Sequence, residues 1–324
     1  MRRLFAAAAF LLAFAGAAHW VLPVGEYYYT LILAQDDAAR LADLQLSTVL
    51  DAGRVEAEIA TALDRDDTEL ATSFLELADS RHLPVSEELR ARVAASGGAV
   101  PRAARDFGVG LVTGEVDSQA SLAGSIAGDL TVWGDVRDLG RQAIHWARGE
   151  PVDEFMVALA GAGIVATGAT YAAFGAPLTL RAGLSVVKGA RRAGALGGRF
   201  AAHLIDAARS GRKVQAAGAL VDVGRASTKA GTRATLAGLT HVDDAAGAAR
   251  LARLADVKGG KTLAIVKVLG RGALFLTEAV AKLALWVIAA IVNLIGLISS
   301  FNAFVVALVR PLWRRPRVGL CSLA

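Results

Sequence analysis

The sequence predicts an all-α membrane protein with an N-terminal anchor, helical soluble regions and a C-terminal transmembrane segment or hairpin. Three observations predict it. Of 324 residues, 54% are hydrophobic and 20% charged, with a mean hydropathy of +0.45; soluble domains run about 45–50% and about 25%. Three uncharged stretches, residues 4–24, 156–178 and 283–309, are long enough as helices to cross a hydrocarbon core of ~30 Å at ~1.5 Å per residue. Aromatic residues make up only 6% beside 34 glycines, a composition that suits closely packed helices better than strands. The single cysteine, Cys321, excludes an intramolecular disulfide and a zinc site built on cysteine pairs.

Charge divides the chain. The net +5 is the sum of Arg2 and Arg3, of −13 over residues 25–155, of +12 over residues 179–282, and of Arg310, Arg314, Arg315 and Arg317. An acidic block and a basic block joined by an uncharged stretch fit opposite sides of a membrane. The expectation is therefore a bacterial inner-membrane protein with residues 25–155 periplasmic and residues 179–282 cytoplasmic.

Residues 1–24 read as a signal anchor, or as a signal peptide with Ala15-Gly16-Ala17 at the cleavage site. Trp20 and Tyr27-Tyr28-Tyr29 suit an interfacial aromatic belt. Residues 25–104 form an acidic helical region. Leu41, Leu44, Leu50, Val55, Ile59 and Leu63 recur at helical spacing between charged faces. Asp66 and Asp67 mark one helix start, and Pro84 with Ser86-Glu87-Glu88 marks another. Residues 96–104 read as a loop and boundary.

Residues 105–155 form a membrane-proximal region punctuated by Glu115, Asp117, Asp129, Asp135 and Asp138. These carboxylates could gather to bind a cation or a substrate. Turn and N-cap chemistry is the favoured reading, because Asp is preferred at helix starts and Asp135 and Asp138 lie near one.

Residues 156–178 form a Gly/Ala-rich transmembrane helix. Its glycines Gly161, Gly163, Gly168 and Gly175 are read as helix-packing positions; the rival is a buried or surface helix that does not cross. Residues 179–282 continue as basic amphipathic helices, for instance 199–209 and 245–254. Their expected partners are the membrane and its anionic lipid headgroups. Nucleic acid is set aside because no aromatic stacking platform accompanies the charge. Residues 283–309 are the strongest span. Because both flanks are basic, two alternatives stand beside a single crossing. One is a helical hairpin starting near residue 272, with Asn293, Ser299, Ser300 or Asn302 at its bend. The other is a 156–178 segment that does not cross, which leaves the basic block periplasmic. Residues 310–324 are a basic tail.

Several motifs imitate chemistry. Gly161-x-Gly163-x-x-Ala166 matches a loose dinucleotide fingerprint, but no acidic residue follows until Asp206. Residues 255–262, ADVKGGKT, end like a phosphate-binding loop, yet the residues before them read as a helix where a strand should stand. The five histidines have no metal-ligand spacing. The terminal CSLA fits a prenylation box, a chemistry foreign to the bacterial character of the composition. No catalytic residue, cofactor site or metal site is assigned.

The succession of N-terminal anchor, acidic helices, GDVRDLGRQA, GAGIVATGATYA and VVKGARRAG resembles inner-membrane proteins of proteobacteria whose function is uncharacterised. Within it, residues 134–193 resemble helical pretoxin regions, with a GD-x-x-D turn before a Gly-rich apolar helix. No toxin domain follows, so the resemblance implies a membrane helical fold and supplies no catalytic residue. The leading expectation is a non-enzymatic scaffold or assembly protein of the cell envelope, with a protein partner or a second copy of itself. The alternatives are a pore-forming or toxin-associated membrane effector, and a membrane-bound hydrolase using the carboxylates of residues 105–155.

Overall fold

The computed structural model describes residues 2–96, 132–162 and 178–309, and among them every regular element is helical. The chain divides into two compact units, one made from Met1–Leu33 with Leu276–Ala324, the other from Ala34–Phe275.

The first unit is a pair of long apolar helices. Helix α1 (Arg2–Gly16) runs through a π-turn at Ala17–Val21 into α2 (Leu22–Leu33). In that turn the Leu22 N–H bonds to Ala17 O, five residues back, and Pro23, which has no N–H to donate, follows at once. The partner, α15, is one unbroken helix over Thr277–Val309. The alternative of a bend near Asn293 or Ser299 is not taken; from residue 283 to 309 the sequence carries no charge and no Pro to break the helix. Residues 7–33 and 282–306 are each long and apolar enough to cross a membrane.

The two helices pair antiparallel. Trp286 Nε1 donates to Val21 O at 3.2 Å, and Asn293 Nδ2 donates to Ala13 O at 3.4 Å. The Phe10 ring lies 5.7 Å from that of Phe301. Gly25 is required where Trp286 lies across the backbone, since a Cβ there would meet the indole at 2.5 Å. Antiparallel pairing brings the start of α1, at Arg2, and the end of α15, at Val309, to the same end of the pair.

The second unit opens with α3 (Ala38–Val49), α4 (Ala52–Asp64), α5 (Thr68–Ser80) and α6 (Glu87–Ser96). Asp37, Asp51 and Asp67 cap the first three, each accepting from backbone N–H groups of the first turn, which satisfies donors the helix leaves orphaned. Next come α7 (Val132–Ala147), α8 (154–162), α9 (Leu178–Arg192), α10 (Gly198–Arg209) and α11 (Lys213–Ala230). Helices α12 (Thr232–Leu239), α13 (Ala245–Lys258) and α14 (Thr262–Leu269) complete the unit.

The acidic and basic blocks share one core in this unit. Leu46, Ile59 and Phe74 from the acidic helices are fully buried in the same cluster as Leu251, Leu254 and Ile265 from the basic ones. Asp67 and Arg233 form a two-pronged ion pair, and Lys258 holds both oxygens of Asp43 at 2.6 and 2.7 Å. The buried Ser73 hydroxyl donates to Gly260 O at 2.7 Å and accepts from Ala264 N at 2.9 Å. This corrects the expectation that residues 25–155 and 179–282 stand on opposite sides of a membrane. Side chains in contact cannot be separated by a bilayer, and the opposite charges of the blocks attract rather than segregate.

The uncharged stretch 156–178 is described only as far as residue 162. Met156, Leu159 and Ala160 are buried there, and Leu159 belongs to the common core. Those residues pack as a core helix. Gly163, Gly168 and Gly175 lie outside the described residues, and at Gly161 a Cβ would meet nothing within 4 Å. Among the described residues, close helix approach occurs between α9 and α11. A Cβ on Gly183 would lie 1.8 Å from Leu220 O, and one on Gly224 would lie 2.0 Å from Thr179 O.

Candidate functional site

Of the five carboxylates singled out in the sequence, Glu115, Asp117 and Asp129 lie outside the described residues. Asp135 and Asp138 are brought together, one turn apart on α7, with side chains 3% exposed. Both project toward a stripe of cations on α9. Lys188 Nζ bridges them, at 2.5 Å from Asp135 Oδ1 and 3.0 Å from Asp138 Oδ2. Arg181 reaches Asp135 Oδ2 at 3.3 Å, Arg192 reaches Asp138 Oδ2 at 2.6 Å, and Arg137 stands 3.6 Å from Asp138 Oδ1.

This arrangement corrects the N-cap reading. Both residues lie inside α7, and their oxygens serve side-chain cations. Burying a charge is tolerable only when it is paired and hydrogen-bonded, and Lys188, itself 1% exposed, has two carboxylates to make that possible. The cluster clamps α7 to α9. Helix α7 consequently turns its charged face inward and leaves Val136, Ile144 and Trp146 exposed, at 50%, 53% and 77%.

Two hollows open on the same unit. The first is an apolar pocket of about 530 Å³ among α8 to α11, with Leu159, Leu184, Leu204 and Leu220 in its walls and Glu154, Arg209 and Lys213 at its rim. The second is a cleft of about 1010 Å³ between α4 and α5 on one side and α12 and α14 on the other. Its floor is apolar, with Leu70, Leu236, Leu263 and Val266; Arg54, Arg65, Arg233 and Lys267 line it against Glu58 and Asp67. Burial opposes ionisation of Asp67, but its bonds to Arg233 and to the Leu70 N–H outweigh this and hold the carboxyl below the usual range. His241, also in the cleft, is pushed below the usual histidine range by burial and then by Arg271. Sequence reasoning missed this cleft because its walls come from helices some two hundred residues apart.

The motif at residues 255–262 has no phosphate-loop geometry. Helix α13 leads into it, Gly259–Lys261 forms a single 3₁₀ turn, and a Cβ on Gly260 would meet the Glu76 carboxylate at 2.4 Å. A carboxylate there repels a phosphate. Among the described residues no group of three His, Cys, Asp or Glu side chains gathers as a metal site. Comparison with family models, with curated proteins and with solved structures gives no match.

Proposed function

We propose that the protein is a non-enzymatic scaffold of the bacterial inner membrane, whose helical unit is displayed on the periplasmic side by a two-helix transmembrane hairpin. One observation carries this reading: the antiparallel register of α1–α2 with α15, fixed by Trp286 with Val21, Asn293 with Ala13 and Phe10 with Phe301. In that register the start of α1 and the end of α15 share one end of the hairpin. The sequence there begins with Arg2-Arg3 and runs on from Val309 into Arg310, Arg314, Arg315 and Arg317, and positive flanks are retained in the cytoplasm. Residues 34–275 leave from the other end at both of their chain connections. They carry 28 Lys and Arg against 28 Asp and Glu, so they bring no net charge that would hold them in the cytoplasm. The scaffold role draws on the exposed apolar face of α7 and on Asp135 and Asp138 being locked into the clamp.

Cysteine accessibility tests the topology. In a Cys321→Ser background, single cysteines at Ala57 and at Val214, the latter 88% exposed, should both react with an impermeant maleimide in intact spheroplasts. In the parent chain Cys321 should react only after the membrane is permeabilised. Labelling of Ala57→Cys and Val214→Cys from opposite sides would refute the hairpin.

A further inference from the structure

We propose that the cleft between α4–α5 and α12–α14 is a binding site for an anionic amphiphile, its chain on the apolar floor and its head held by Arg65 and Lys267. The charges lining the cleft are not equivalent. Arg233 is committed to Asp67 through both terminal nitrogens, and Arg54 donates to Val49 O at 3.0 Å. Arg65 and Lys267 are exposed and, among the described residues, form no side-chain ion pair within 4.0 Å, although Lys267 acts on Asp67 at longer range. Among the described residues that line the cleft, Glu58 is the only carboxylate other than Asp67. Burial and Arg271 keep His241 neutral at neutral pH, so it adds a hydrogen-bonding ring and no charge.

The floor supplies the second half of the recognition. Leu70 and Leu236 are 8% and 5% exposed, and Leu263 and Val266 are 5% and 3% exposed, so the core itself forms the wall. A head group alone would leave that apolar surface wet, and an uncharged chain alone would make no use of the two exposed cations at its edge. A cleft of about 1010 Å³ lies at the upper end of the range for small-molecule sites, about 300–1,000 Å³. The asymmetry of free cations over an apolar floor selects a molecule with an acyl chain and a phosphate or carboxylate at its end.

The test uses the full chain in nanodiscs of phosphatidylcholine, titrated with octyl phosphate and with empty nanodiscs as the partitioning control. Saturable binding at one equivalent per chain is expected. Loss of a charge-assisted contact should weaken binding about tenfold or more in Arg65→Gln/Lys267→Gln, while Arg65→Lys/Lys267→Arg retains it. Both positions are exposed, and an unchanged thermal midpoint verifies that the variants are folded. Inorganic phosphate and octyl glucoside, each lacking one half of the recognition, should bind at least about tenfold more weakly. Octanoate and dihexanoyl phosphatidylglycerol run in parallel tell a free fatty anion from a phospholipid by which one competes better. Absence of saturable binding, equal binding by the Gln variant, or inorganic phosphate or octyl glucoside matching octyl phosphate would each overturn the proposal.

Discussion

Lys188 and Asp135 meet at 2.5 Å with both side chains all but excluded from solvent, and the same ammonium reaches Asp138 at 3.0 Å. Removing either partner takes away the nearest counter-ion of the other, leaving Lys188 with Asp138 alone or Asp135 with Arg181 alone. Breaking such a pair from one side costs about 3–5 kcal/mol, whereas replacing both partners by apolar groups can be nearly neutral. Lys188→Met and Asp135→Asn should each lower the unfolding free energy of the full chain in detergent by ~3 kcal/mol. The double variant should lose clearly less than their sum, a coupling that urea titrations of the cycle measure. Strict additivity would show that the clamp is not a clamp. A double variant that folds and still rescues the deletion strain excludes a catalytic role for Asp135.

The approach of α9 to α11 makes a sharper claim about size. Gly183→Ala or Gly224→Ala drives a methyl into a backbone carbonyl at 1.8 or 2.0 Å, so the helices must part. Each should cost ~2 kcal/mol or more and lower the accumulated protein. Gly218→Ala, on the same α11 but with nothing within 4 Å of the added carbon, should instead stabilise by up to ~1 kcal/mol through helix propensity. Thermal midpoints of the three variants separate packing from propensity.

Stability should fall on acidification in two windows. His241 has a depressed folded pKa, so its contribution is complete above the unfolded value of about 6.5 and is lost as pH falls through the folded one. Asp67 is also depressed; its contribution is complete above about 3.9 and is lost as pH falls through its lower folded value. His241→Gln should flatten the first descent and leave the second, and Asp67→Asn should do the reverse. Denaturant midpoints between about pH 7 and pH 3 read both windows; an unchanged first descent in His241→Gln would assign that window to another group.

The span pairing predicts a cross-link. With Cys321 replaced by Ser, cysteines at Phe10 and Phe301, whose rings are 5.7 Å apart, should join under mild oxidation in native membranes. Cysteines at Phe10 and Trp286, at different levels of the hairpin, should not. The converse pattern would place the helices in another register.

Much of the local structure was legible. Leu41, Leu50, Val55 and Ile59, picked out by spacing alone, are buried; Asp67 caps α5, and α6 begins beside Ser86 and Glu87. The relations between distant segments were not. Lys282 and Arg310 stand on either side of one span, a local pattern that favours a bend inside it; the helix that restores the balance is α1, far upstream. The opposite charges of the two blocks read as separation across a membrane, when Asp67 with Arg233 and Asp43 with Lys258 show attraction within one core. A signal for the clamp did exist. Asp135 and Asp138 are spaced i,i+3, and Arg181, Lys188 and Arg192 fall seven and four residues apart, one face each of two helices.

The hairpin also sets an order of events during synthesis. Residues 34–275 separate its two helices in the chain, and at roughly 5–20 residues per second the ribosome needs on the order of 10–50 s to pass from one to the other. For that interval the helix carrying Gly16 and Gly25 has none of its final neighbours, and the nascent domain hangs from a single tether while it folds. The arrival of Trp286 and Asn293 closes the loop. A ribosome that stops before Thr277 therefore leaves a domain moored at one end only, with a bare groove along its remaining anchor.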